Sequence, residues 1–281
     1  MALPRFPFVV IDMNTCRRDE EVVPLLANWE RERVGIVLPS VAHWELTKGK
    51  TTGTIHSSFR LLAQRPEAVS FARHPYSLKG QEHFTKRPLR LATIVDHRHT
   101  QNIREVLRGL RDDTHVVDPE TVLAKHAHWR ALLDHENEPK ILRQLIGVHR
   151  SVLPRPRASA IRSALQAGNT SPFNAYLAEA VGGRAPLAMF LRGVGYGSSM
   201  SKRILRFPSV SILHYLALLA VALRWRVLGG GEGAKDDTLE RAMIDAEYAT
   251  IASLGRGYVT RDDGAREVYE AVVSVANRLW R

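Results

Sequence analysis

The sequence predicts an α/β protein, a parallel sheet carrying a large, mainly α-helical insertion, and three observations predict it. The first fifty residues alternate as strand, helix, strand, helix. The closing stretch from Thr238 reads helix, glycine, short strand, helix. Between them, from Thr51 to Leu228, the periodicity is helical and is broken repeatedly by proline. The implied organisation is a sheet core formed by residues 1–55 and 229–281, with 56–228 as a helical insertion or lobe that is basic from residue 141.

Phe6 to Ile11 (FPFVVI) is a continuous apolar run of the kind buried on both faces in a central parallel strand, and Asp12 stands at its carboxyl end. The polar stretch that follows Asn14 has Val22, Val23, Leu25, Leu26 and Trp29 as its apolar side, predicting an amphipathic helix started or interrupted at Pro24. Val34 to Leu38 is a second strand. Ser40 then caps a helix that carries Glu45 and stops at Gly49.

Inside the insertion, helices are expected at His56 to Leu62, Thr100 to Leu110, Glu120 to His135, Lys140 to Val148, Ala158 to Gln166, Phe173 to Val181 and Val210 to Val227, with one short strand at Leu89 to Val95. The longest apolar run, Ile212 to Leu223, falls short of the roughly twenty residues of a membrane span and reads as a buried helix. The loop 229–233 lacks the lysine and hydroxyl of a phosphate-binding loop and reads as a return linker. Asp237 and Glu240 suit a capping box.

The stretch from Asp245 to Asp262 sets the geometry of the candidate site. Asp245 to Gly255 spans about 15 Å of helix, and the strand GYVTR returns about 16 Å. If the two pack antiparallel, Asp245 and Asp262 finish at the same end of the unit. Asp12 and Glu45 belong to that end too, beyond the carboxyl ends of the strands, where ligands gather in parallel sheets.

Composition bounds the chemistry. At 44% hydrophobic and 25% charged, the 281 residues suit a globular protein. The single cysteine, Cys16, excludes an intramolecular disulfide and a Cys/His zinc pattern and fits a reducing, cytoplasmic setting. The apolar run before Asp12 is too short for a secretory leader, so neither a leader nor a membrane partner is expected. The net charge of +11 is uneven: 141–226 holds twelve Arg or Lys against Glu179 alone, and the remainder balances. That is the footprint of a polyanion binder, with Arg155, Arg157, Arg162, Lys202, Arg203 and Arg206 placed to grip phosphates.

Four converging carboxylates repel one another unless a cation offsets them or some stay protonated. Oxygen ligands without cysteine select Mg²⁺ or Mn²⁺. Such a cation supports in-line hydrolysis of a phosphodiester, and the basic segment supplies the surface that draws in the nucleic acid.

VVIDMN at the first strand, PSVAHWELTKG after the second, the helix beginning IDAEYATIASL, and GYVTRDD resemble the four acidic motifs of the PIN-domain nuclease family. The resemblance covers roughly a hundred residues and implies a PIN-like three-layer core. It also implies a metal-dependent ribonuclease, of a family often found in toxin or RNA-processing settings. It makes Asp12, Glu45, Asp245 and Asp262 the catalytic, metal-binding acids and Asn14 and Thr260 their polar supports, with Asp237 or Asp263 as replacements for one acid. The length of the insertion departs from the family pattern. DNA stays open beside RNA, as do a protein inhibitor and a homo-oligomer.

Two alternatives stand beside this reading. A non-catalytic RNA-binding PIN-like protein needs the arginines but not the acids. A haloacid-dehalogenase-like phosphatase would use Asp12 as nucleophile, but places Asn14, which cannot donate a proton in that role, where its general acid belongs.

Overall fold

The computed structural model describes residues 6–42, 45, 52–85, 87, 89–114, 138–193, 197–230 and 234–280. The expected helix Glu120 to His135 lies outside them. Among the described residues, the chain is mostly helical around a small parallel sheet of four strands: β1 (Phe8–Ile11), β2 (Gly35–Leu38), β3 (Val69–Phe71) and β4 (Gly257–Val259). Their spatial order is β3-β2-β1-β4. In register, Val10 faces Val37 of β2 on one side and Tyr258 of β4 on the other, and Ile36 faces Val69 of β3.

Helix α1 (Asp19–Glu32) opens with three acids in its first turn, which suits the positive end of the helix dipole, and closes on Arg33 in the left-handed region. It runs through Pro24 rather than stopping there. The carbonyl that this proline leaves without its helical donor belongs to exposed Glu20, on the outer side of the helix. After β2, Glu45 donates its N–H to the Val41 carbonyl at 3.1 Å, so the acid sits on a helical turn.

The third strand falls inside the stretch read as helical insertion. It is an edge strand, and α5 (His97–Arg111) covers its outer edge after α2 (Thr52–Phe59), α3 (Pro75–Thr85) and α4 (Leu91–Ile94) have passed. Thr100 Oγ1 accepts the Phe71 N–H at 3.0 Å, and Arg104 Nε donates to the Val69 carbonyl at 2.9 Å. Side chains thus close the edge that would otherwise invite another strand. The strand expected at Leu89 to Val95 is instead the helical turn α4, and only Val95 bridges, antiparallel, to Ala72.

The remaining helices are α6 (Glu138–Val152), α7 (Arg155–Gln166), α8 (Ser171–Val181), α9 (Arg184–Gly193), α10 (Ser198–Ile204), α11 (Val210–Leu228), α12 (Asp236–Ala252) and α13 (Asp263–Leu279). The sheet is buried on both faces. One core joins Phe8, Val10 and Val37 to α6, α7, α8, α11, α12 and α13; the other joins Ile36, Leu38, Val69 and Phe71 to α1 and α5. Helix α11 is long and apolar enough to cross a membrane, but 78% of that window is buried inside the protein, as expected of a core helix. Helix α12 starts at Asp236, one residue before the expected cap. Gly255 follows α12 because its backbone meets Phe8: a Cβ there would stand 2.6 Å from the Phe8 carbonyl oxygen.

The N-terminus of α11 is capped by a carboxylate from far away in sequence. Glu82 of α3 accepts the Val210 N–H at 2.7 Å and the Ser211 N–H and hydroxyl at 3.0 Å each. Burial nevertheless pushes its carboxyl from 4.5 up to about 7, against the lowering pull of those bonds. The folded protein therefore holds this proton more tightly than the unfolded chain, and stability falls as pH rises from about 4.5 to about 7. Glu82→Gln is expected to flatten that fall, by on the order of 2–3 kcal/mol, and to cost about 1–2 kcal/mol at pH 5 for a backbone N–H without its acceptor. Urea unfolding at pH 5 and pH 8 reads both effects.

Candidate metal centre

Asp12 leaves β1 with its backbone still in the sheet, its N–H donating to the Val259 carbonyl at 3.2 Å. The chain then turns into a short 3₁₀ segment, Thr15–Arg17, and the Thr15 N–H donates to Asp12 Oδ1 at 2.7 Å. A backbone bond thereby fixes a carboxylate that is only 8% exposed. Asp262 follows β4 in an equally defined way. Thr260 Oγ1 accepts its N–H at 3.0 Å, and its Oδ1 caps α13 by accepting the Ala265 N–H at 3.0 Å.

The strand order explains why these two acids meet. The chain lays β2 and β3 on one side of β1 and returns on the other with β4, so the connections diverge between β1 and β4. In open parallel sheets, that divergence beyond the carboxyl ends is where a crevice forms. Asp12 follows β1 and Asp262 follows β4, one on each side of that divergence.

Asp245, on α12, registers all three other acids. Its carboxyl is pushed from 3.8 to about 7, first by burial, then by Asp262; Glu45 and Asp12 add to the rise, while Arg224 opposes it. Arg224 Nε donates to Glu267 at 2.8 Å, and its guanidinium lies where a side chain on Gly264 would stand. The four sequence-predicted acids therefore share one electrostatic field. The expected meeting of Asp245 and Asp262 at one end of the helix–strand unit agrees with Asp262 being the strongest of the charges acting on Asp245.

Three further groups face this field and were not singled out from the sequence. The Tyr248 hydroxyl donates to Glu45 Oε2 at 2.5 Å, and the phenol is held well above its ordinary pKa by burial first and by Glu45 next. Tyr258 stacks on Tyr248 with ring centroids 5.7 Å apart. Burial, Asp12 and Asp245 raise it as well, partly offset by a hydrogen bond with Thr260. The Cys16 thiol is raised by burial, Asp12 and Glu45. Spacing could have flagged the tyrosines. Tyr248 is three residues beyond Asp245 on one helical face, and Tyr258 is two before Thr260 along the strand.

The supporting residues divide. Thr260 is engaged at the site through Asp262 and Tyr258. Asn14 is exposed and its side chain makes no cap bond to the 3₁₀ turn. Asp263 is turned to Arg266 in an exposed ion pair. The side chain of Asp237 lies outside the described residues.

In donor chemistry the four carboxylates fit a hard divalent cation: oxygen ligands suit it, and Asp245, raised first by burial and then by Asp262, Glu45 and Asp12, lacks a full counter-charge. In geometry the match is looser. Among the described residues, no three of His, Cys, Asp or Glu are close enough together to hold an ion as they stand.

The basic segment is less available than its count suggests. Arg157 pairs with Glu179 and lies 4.9 Å over the Tyr176 ring. Arg162 Nε donates to the Val227 carbonyl at 2.6 Å, closing the end of α11, and Arg184 Nε donates to the Leu279 carbonyl at 2.9 Å, closing α13. Arg143 reaches Asp236 at 2.5 Å. Arg155, Lys202 and Arg206 are exposed; the Arg203 side chain lies outside the described residues. No family model matches the chain, and no curated protein or solved structure matches it.

Proposed function

We propose that the protein is a metal-dependent endoribonuclease with a PIN-like core, cutting RNA at Asp12, Glu45, Asp245 and Asp262. The observation that carries this reading is the raised carboxyl of Asp245, which feels Asp262, Glu45 and Asp12 together beside the crevice of a parallel sheet. Bound Mg²⁺ or Mn²⁺ would stabilise the charge developing on the scissile phosphate and lower the pKa of the attacking water. Asp12 and Asp262 are oriented by backbone N–H donors, so their carboxylates need little reorganisation to take up a ligand. Against the acids, the Arg224 guanidinium lowers the Asp245 carboxyl, and it offsets only part of their charge. Exposed Arg155, Lys202 and Arg206 supply phosphate contacts.

A second reading rests on exposed Arg155, Lys202 and Arg206 alone: the fold binds RNA and does not cut it. Cleavage of a mixed RNA pool separates the two, with a DNA control and with Mn²⁺, Mg²⁺ or EDTA. The nuclease reading expects metal-dependent cutting that Asp12→Asn lowers by on the order of 10²–10³-fold. RNA binding without cutting by the wild type in every metal would sink it and leave the binding module.

A further inference from the structure

We propose that α12 is the template of the acidic site: it contributes Asp245 and also positions Glu45, through the Tyr248 hydroxyl on its carboxylate and the Glu247 carboxylate on its helical turn. This rests on the reading of the four acids as a divalent-cation site and adds two positioning residues to it.

Glu247 is 4% exposed and accepts the Ser40 hydroxyl at 2.5 Å and the Val41 N–H at 3.1 Å, with His74 Nε2 at 3.2 Å from its other oxygen. Ser40 and Val41 begin the turn that presents Glu45, whose own N–H bonds back to the Val41 carbonyl. The first turn that carries Glu45 therefore hangs on α12, two residues from Asp245. A carboxylate at such a start supplies the acceptor that orphan N–H groups lack and favours the positive end of the turn.

Tyr248 fixes the other end of the same acid. Its ring is 1% exposed and is wedged against Tyr258, which meets Tyr269 edge-on at 5.9 Å. A ring packed in this way holds its hydroxyl to one place, and the hydroxyl donates to Glu45 Oε2. One donor orients a carboxylate without saturating it, because the group offers about four lone-pair directions. Asp12 and Asp262 are held by local backbone donors; for Glu45 the orienting donor comes from α12.

The test is Tyr248→Phe, which keeps the ring and deletes the donor. Mn²⁺ binding is measured by isothermal titration, alongside RNA cleavage over a range of Mn²⁺ and RNA binding in EDTA. The expected result is Mn²⁺ affinity weakened about tenfold, cleavage recovered by excess Mn²⁺, and RNA binding in EDTA unchanged. A purely structural role for Tyr248 would lower the unfolding midpoint and leave Mn²⁺ affinity alone, which overturns the proposal while the metal-site reading stands. A wild type that neither binds Mn²⁺ nor cuts RNA overturns both. Should Tyr248→Phe fail to fold, Ser40→Ala replaces it; it removes one bond to Glu247 and is expected to weaken Mn²⁺ by about threefold, with an unchanged affinity again counting against the proposal.

Discussion

Asp245→Asn is expected to abolish metal-dependent cleavage and at the same time to stabilise the metal-free protein at pH 8. The loss follows from removing a ligand charge and is on the order of 10²–10³-fold. The gain follows from the raised carboxyl, which moves from 3.8 to about 7 on folding. A folded pKa above the unfolded one means that ionisation is harder in the native state. The destabilising share is therefore absent below about pH 4, grows through the window up to about 7, and is complete above it. About three pKa units set its ceiling near 4 kcal/mol. The partly exposed edge of Asp245 and the hydrogen-bonding needs of the new amide reduce it to about 1–3 kcal/mol. Urea unfolding in EDTA at pH 5 and pH 8 measures it. An asparagine variant no more stable than the wild type at pH 8 would mean that burial and the neighbouring acids do not raise the Asp245 carboxyl.

This opposition of function and stability explains which parts of the site were legible in the sequence. Three of the four acids end or border a strong local pattern: Asp12 the run FVVI, Asp262 the strand after Gly255, Asp245 the small-residue stripe of α12. A polar residue at the edge of an apolar pattern marks itself. Tyr248 and Tyr258 did not, because an aromatic inside an apolar pattern reads as core; only their spacing from Asp245 and Thr260 pointed to the acids that their phenols feel.

The sheet was half legible for a related reason. Strands β1 and β2 are continuous apolar runs and β4 follows the glycine stop at Gly255, whereas β3, as short as β4, directly follows a 3₁₀ turn begun by Pro66. Its edge is completed by Thr100 and Arg104, some thirty residues away, and no local window contains that information. The charge of 141–226 misleads in the opposite direction. A segment count sees twelve cations against one acid, but Asp236 and Glu267 lie outside the segment and pair with Arg143 and Arg224. Carbonyls at the ends of α11 and α13 take Arg162 and Arg184. Net charge of a segment is not the charge of a surface.

The second large effect is a coupling between protons and metal. If Mn²⁺ needs Asp245 ionised, its apparent affinity depends on how much of that carboxylate is already charged, and binding must release the proton that remains. With the carboxyl at about 7, affinity is expected to be level above pH 8 and to fall toward tenfold per pH unit below 7, reaching about 100-fold weaker at pH 5. Isothermal titration in two buffers of different ionisation enthalpy counts the protons released: about half a proton near pH 7 and close to one at pH 5.5. Asp245→Asn should bind weakly with this pH dependence largely removed. A wild type whose Mn²⁺ affinity is the same at pH 5.5 and pH 8 would remove Asp245 from the ligand set, and its raised carboxyl would then mark a structural acid held beside Arg224.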